Sequence, residues 1–143
     1  MEMEYCERGD LYEFVSAYTS HQEKLGNQSK GLLMNDLALL KTIFYQLIEA
    51  VSSLHNKAGF AHMDIKLENI LISREGHLKL CDFGFSAPAN SHVTKKLGTE
   101  AYMAPEIYDA RYNPCLARPT DIFSLGVLFF ILAFGAPPFH SAE

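Results

Sequence analysis

A chain of 143 residues with 48% hydrophobic side chains can build one domain with a sizeable core and is too short for several. Its formal net charge of -5 and pI near 5.6 argue against a surface that neutralises nucleic-acid phosphates, which needs clustered Lys and Arg. Cys6, Cys81 and Cys115 are an odd number without a CxxC pair, so a reduced, intracellular and cytoplasmic setting is expected rather than a disulfide framework.

The opening Met1-Glu2-Met3-Glu4-Tyr5 lacks the basic start and apolar run of a signal peptide. Residues 1–6 read as the end of a strand, broken by Gly9, with Asp10 as the N-cap of a short helix over Leu11-Tyr12-Glu13-Phe14-Val15. The polar residues 19–31 read as a loop. From Asn35-Asp36 onward, Leu37, Leu40, Phe44, Leu47, Val51 and Leu54 alternate spacings of three and four, which predicts an amphipathic helix to about Lys57, stopped near Gly59.

Two apolar runs, Ile70-Leu71-Ile72 and His77-Leu78-Lys79-Leu80-Cys81, flank Ser73-Arg74-Glu75-Gly76 and predict a β-hairpin. Residues 85–97 have no periodicity and are expected to form a mobile segment suited to regulation. Helix returns briefly around Pro105-Glu106-Ile107-Tyr108 and strongly from Thr120-Asp121. The apolar run at 122–134 is 13 residues, short of the about 20 that cross a bilayer, and is expected to be a buried core helix rather than a membrane span.

The chemistry concentrates in His62-Met63-Asp64-Ile65-Lys66-Leu67-Glu68-Asn69 and, thirteen residues after Asn69, in Asp82-Phe83-Gly84. In an extended loop Asp64 and Lys66 point the same way, so a carboxylate can accept a hydroxyl proton beside an ammonium that neutralises a phosphoryl group. The hairpin brings Asn69 and Asp82 together as two oxygen ligands for Mg²⁺, with phosphate oxygens and water completing the shell. Gly84 is expected to let the backbone turn after Phe83.

These residues carry a close resemblance to eukaryotic protein kinases of the serine/threonine branch. Residues 62–69 resemble the catalytic loop, Asp82-Phe83-Gly84 the metal-binding triplet, Ala104-Pro105-Glu106 the end of the activation segment, and Asp121-Ile122-Phe123-Ser124-Leu125-Gly126-Val127 the central helix. The implied fold is mainly α, the large (C-terminal) lobe of the protein kinase fold with a short β-hairpin at the active site, truncated at both ends. Residues 1–143 would then be a partial kinase domain running from the hinge to the central helix.

The resemblance also implies roles. Met3 resembles the gatekeeper. Glu4 and Cys6 would contact adenine at the hinge, Asp10 would meet the ribose, and Leu71 would floor the adenine or simply pack in the core. Asp64 would orient the acceptor hydroxyl, Lys66 would steady the γ-phosphate of ATP, Asn69 and Asp82 would hold Mg²⁺, and Thr99 would meet Asp64 and Lys66. His62, Gly84, Glu106 and Asp121 would be structural, Asp121 as a helix-start carboxylate accepting N–H bonds from the catalytic loop. Gly98-Thr99 and Lys66-Leu67-Glu68-Asn69 imply Ser or Thr acceptors on protein substrates, with a weak lean toward calcium/calmodulin-dependent relatives.

Three departures shape the expectations. Met63 stands where most members have an arginine that pairs with a phosphorylated activation segment, so phosphorylation of Thr94 should change activity little. No glycine-rich loop, phosphate-binding lysine strand or helix glutamate precedes Met3, so the small lobe is nearly absent. The arginine that usually pairs with Glu106 would lie beyond Glu143. The expected activity is phosphoryl transfer as part of a complete kinase, with the 143 residues inactive alone. The alternative is a non-catalytic binding or decoy module.

Overall fold

In the computed structural model, which describes residues 5–26, 31–109, 111 and 114–139, the Asp10 carboxylate accepts a 2.8 Å hydrogen bond from the Glu13 N–H and caps α1 (Leu11–Lys24). The strand expected at 1–6 falls mostly outside the described residues, and Tyr5 and Cys6 are in no strand. α1 runs through residues 19–24, where a loop was expected. Ser, His, Gln, Glu and Lys made that stretch polar without breaking it, and the turn comes at Gly26, with φ 84°. Leu11, Val15 and Tyr18 on the opposite face pack into the core.

After the single turn α2 (Leu32–Asn35), Asp36 caps α3 (Leu37–Ser53) by accepting the Leu39 N–H at 2.9 Å. The helix stops as expected, in a π turn (Leu54–Ala58) closed by left-handed Gly59. Its buried row is Ile43, Leu47 and Val51, whereas Leu37 and Phe44 of the expected stripe are 47% and 42% exposed. A neighbouring Ile43 at a spacing of four from Leu47 competes with Phe44, and spacing alone does not choose between them.

The chain then makes β1 (Phe60–Ala61) and enters the loop that carries the chemistry, which ends in a 3₁₀ turn (Leu67–Asn69). The expected hairpin follows as β2 (Ile70–Ile72) and β3 (Leu78–Leu80), antiparallel with Leu71 opposite Lys79. Gln46 of α3 fastens its edge, accepting the Leu78 N–H at 3.0 Å. Residues 85–97, expected to be a mobile segment without periodicity, contain β4 (Ala87–Pro88), paired with β1, and β5 (His92–Val93), paired with β6 (Cys115–Leu116). Strands of two residues are too short for alternation to register in a sequence.

α4 (Pro105–Tyr108) starts with Pro at its first position, where the missing N–H costs nothing. α5 (Ala117–Phe134) begins three residues before the expected start at Thr120-Asp121 and five before the apolar run, and is capped by left-handed Gly135. At 18 residues it is longer than the run of 13, and with Leu37–Ala58 it is long and apolar enough to cross a membrane by length and composition alone. In this fold, however, it buries Val127, Leu128 and Leu132 against α1, α3 and the hairpin. A second cluster around Ala61, Met63, Val93, Met103 and Ile107 lies under residues 87–108. The structure is mainly helical, with three two-stranded sheets among the described residues.

Candidate active site

The loop after β1 is held from below by one carboxylate. Asp121, 1% exposed, accepts the His62 N–H at 2.7 Å on Oδ2 and the Met63 N–H at 2.8 Å on Oδ1. It was expected at the helix start, but α5 begins at Ala117 with Leu116 at the cap position, so Asp121 lies inside the first turns and its carboxylate is directed to another segment. His55 Nε2 also lies 2.8 Å from Asp121 Oδ2. A carboxylate oxygen only accepts, so His55 donates. Three donors offset the cost of burying the charge, which unpaired would be several kcal/mol.

Held this way, Met63 adopts φ 69°, a left-handed conformation that side chains other than glycine rarely take. The turn aims Asp64 away from Met63. Met63 itself is 6% exposed, with its sulfur 3.3 Å from the Thr120 hydroxyl, so this position is packed in the apolar cluster. His62 lies 2.8 Å from the Cys81 carbonyl through Nε2 and accepts the Asp64 N–H at 3.3 Å on Nδ1. The two bonds together fix the neutral tautomer with the proton on Nε2. Its ring also packs on Phe83, centroids 5.0 Å apart.

Above this base the polar side chains converge. The Thr99 hydroxyl donates to Asp64 Oδ1 at 2.8 Å, and Lys66 Nζ donates to Thr99 Oγ1 at 2.9 Å while lying 3.1 Å from Asp64 Oδ2. Asn69 Nδ2 donates to the Asp64 carbonyl at 2.9 Å and to Asp64 Oδ2 at 3.0 Å. Burial pushes the Asp64 carboxyl up, but the hydrogen bonds from Thr99 and Lys66, the Lys66 charge and the Asn69 amide outweigh it and hold the group below its ordinary range. Asp64 is therefore ionised at neutral pH, and its weak basicity suits it to orienting a hydroxyl. Gly98, with φ 106°, brings Thr99 here: a Cβ at this position would sit 2.7 Å from the Met63 carbonyl.

Across the hairpin the Cys81 N–H donates to the Asn69 carbonyl at 3.0 Å, which sets Asn69 beside the start of the Asp82 triplet. Asp82 is exposed and takes φ 58°, with Oδ1 accepting the Gly84 N–H at 3.2 Å. The turn expected after Phe83 is present, the Ser86 N–H donating to the Phe83 carbonyl at 3.1 Å across Gly84 and Phe85. A side chain would crowd it there, since a Cβ on Gly84 would be 3.1 Å from Asp82 Oδ1. Among the described residues the Asn69 carboxamide oxygen and Asp82 Oδ2 meet no hydrogen-bond donor. An amide oxygen and a carboxylate oxygen make a hard donor set that fits Mg²⁺.

Of the residues expected at a nucleotide, Met3 and Glu4 lie outside the described residues. Cys6 is half-buried. Asp10 and Leu71 face each other in an antiparallel bridge, and Leu71 is half-exposed while its neighbours Ile70 and Ile72 are buried. The Asp10 carboxylate is already engaged by the Glu13 N–H. Glu106 is half-buried near Cys115, whose thiol is pushed up first by burial and then by the Glu106 charge. His55, which sequence reasoning missed, does leave a signal: it continues the buried row 43, 47, 51 by one more step of four.

A loop carboxylate bonded to a hydroxyl, an ammonium and an amide, next to a pair of hard oxygen donors, can orient an acceptor hydroxyl toward a metal-bound phosphate. The chain is 38% identical over 149 residues to CBL-interacting serine/threonine-protein kinase 10 of Arabidopsis thaliana, covering 99% of this chain and 27% of that protein. It is 33% identical over 148 residues to serine/threonine-protein kinase KSP1 of Saccharomyces cerevisiae, covering 99% of this chain and 13% of that protein. It is 34% identical over 143 residues to maternal embryonic leucine zipper kinase of Xenopus tropicalis, covering 97% of this chain and 19% of that protein. The chain thus spans about a quarter or less of these relatives. The protein kinase domain profile matches residues 1–143, and the chain belongs to the protein kinase family.

Proposed function

We propose that residues 1–143 form the large lobe of a serine/threonine protein kinase domain and supply its half of the phosphoryl-transfer site. The observation that carries this reading is the convergence of Lys66, Thr99 and Asn69 on Asp64 at 2.8 to 3.1 Å. Asp64 orients a Ser or Thr hydroxyl on a protein substrate and takes its proton as the oxygen attacks. Lys66 neutralises the transferring group, and Thr99 fixes the carboxylate so that little reorganisation is needed. Asn69 and Asp82 would hold Mg²⁺, which supplies charge neutralisation to the ATP phosphates. Cys6, Asp10 and Leu71, together with Glu4 of the sequence, would be the residues that meet adenine and ribose, a reading supported by the bridge between Asp10 and Leu71. His62, Gly84 and Glu106 keep structural roles.

The 143 residues contain no glycine-rich loop, no Ala-x-Lys strand and no partnering helix glutamate, so half of the nucleotide clamp has to be supplied by other residues. By themselves they should transfer phosphate at background rates. A second reading, a non-catalytic binding or decoy module, is favoured by the apolar cleft between α3 and α5 lined by Phe44, Ile48, Ile122 and Phe129. One comparison separates the two. The 143-residue chain is assayed beside the same chain expressed behind a segment that supplies the missing clamp, with labelled ATP, Mg²⁺ and Ser/Thr peptides. Metal-dependent transfer only by the completed chain supports the kinase reading. Transfer by neither favours the binding module, and transfer at ordinary kinase rates by the short chain contradicts its inactivity.

A further inference from the structure

The two longest described helices leave one side of the molecule uncovered. Phe44 and Ile48 of α3 and Ile122 and Phe129 of α5 line a cleft of about 520 Å³ that runs between them. The Phe44 and Phe129 rings touch within it, yet Phe44 and Ile48 remain 42% exposed and Ile122 56%. Phe130 and Phe134, also exposed and in ring contact with each other, continue the apolar surface around α5. The α5 wall is low at Gly126, where nothing stands within 4 Å of a would-be Cβ. Side chains of this size present about 150 to 250 Å² each, so the exposed fractions of these five amount to roughly 350 to 600 Å² per chain. That is at the upper end of what one monomer carries as a single patch. It is also what half a stable homodimer needs, since about 65% of about 800 Å² per partner is apolar.

We propose that this face is an interface between two copies of the chain, paired about a two-fold axis with the exposed ridge of α3 in each copy seated in the cleft of the other. The proposal does not depend on the kinase reading. Phe44 and Ile48, four residues apart, form the ridge, and ridges of this kind pack into the grooves of a facing helix. Ridge and cleft lie on the same face, which is the condition for a contact that closes on itself as a dimer. The charges agree. Among the described residues lining the cleft, Arg118 alone carries a permanent charge, and it lies at the end of α3, donating from Nη2 to the His55 carbonyl at 2.9 Å. In an antiparallel pair the two guanidinium groups therefore sit at opposite ends and do not oppose each other. A bilayer suits the face less well, because a net charge of -5 repels anionic lipid and a flat surface leaves the floor of a cleft unfilled.

Sedimentation of the 143-residue chain from about 1 to 200 µM reads the pairing, since interfaces of this size bind at micromolar affinity or tighter. The average mass should move from one chain to two and stop there. Over the same range the methyl NMR signals of Ile48 and Ile122 should shift, while those of Ile65 and Ile107, buried elsewhere, stay in place. Ile122→Glu and, on the other wall, Ile48→Glu each put a carboxylate at an exposed position, so both monomers should keep their helical circular dichroism. Each variant should weaken pairing by at least about thirtyfold, the effect of an unpaired charge at the centre of an interface. Leu25→Glu, an exposed change at the end of α1, should leave it within about twofold. If either glutamate variant unfolds, the other and the methyl shifts decide. A monomer throughout would overturn the proposal, and binding of that monomer to phosphatidylcholine vesicles would make a bilayer the occupant instead. Growth past the dimer would overturn the two-fold contact. A dimer that neither glutamate weakens would move the interface off this face and overturn the proposal as well.

Discussion

Gly98 is where one atom has the most leverage on the site. Its φ of 106° and the 2.7 Å approach of a would-be Cβ to the Met63 carbonyl mean that Gly98→Ala must push the following Thr99 off Asp64. A displacement near 1 Å in such a cluster costs on the order of a hundredfold in rate. The variant should keep its helical circular dichroism while the completed chain loses that much transfer, and a variant within twofold of the parent would refute the geometry. Tyr102 makes a different statement. Burial, then the Glu68 charge, push its phenol up to about 12, against a backbone hydrogen bond at Leu67 that lowers it. A folded value above the unfolded 10.0 means that its contribution is complete below pH 10 and fades as pH rises toward 12. The thermal midpoint should therefore fall across that window, and Tyr102→Phe should lessen the fall. Asp64, Lys66 and Asn69 were legible because their offsets of two and five keep partners within one loop. His55 and Gln46 were not, since their partners lie 66 and 32 residues away and only the fold introduces them.

At the scale of elements, helices were read better than the short strands, and their faces less well than their existence. α3 and the hairpin stood out because periodicity accumulates over several turns or two flanking runs. α1 was cut short because exposed polar residues look like loop, and its end was set by Gly26 rather than by composition. Contacts between elements are invisible in either pattern. At Gly31, the residue before α2, a Cβ would lie 1.8 Å from the Ala133 carbonyl near the end of α5, so two backbones touch there. Gly31→Ala should cost about 1 to 3 kcal/mol by overpacking, read as a lower urea midpoint at unchanged slope. Gly126, inside α5, has nothing within 4 Å of its would-be Cβ. Gly126→Ala should be neutral or stabilise by about 0.5 to 1 kcal/mol, from helix propensity. Equal midpoints for the two variants would show that the α2–α5 contact is not as close as described.

For the molecule as a whole, two apolar clusters meet at the loop. One, built on α1, α3, α5 and the hairpin, includes Leu67 and Ile70 on either side of Asn69 in the chain. The other gathers Met63, Val93, Met103 and Ile107, and ties the segment from 87 to 108 to the base of α5 through the β5–β6 pairing. Met63 is thus packed in this cluster, at the position where the resemblance led one to expect an arginine. Asp64, Lys66 and Asn69 lie close together in the sequence, whereas Asp121, 57 residues beyond Asp64, reaches the loop by tertiary contact, which the resemblance and not the local pattern led one to expect. The proposed function requires Asp64 to orient the acceptor hydroxyl. Asp64→Asn in the completed chain, assayed with labelled ATP, Mg²⁺ and a Ser/Thr peptide, tests it most directly. The carboxamide preserves size and removes the charge, and transfer should fall by about a hundredfold to ten-thousandfold while thermal stability stays near the parent. Transfer at the parental rate by the Asn variant would contradict the account.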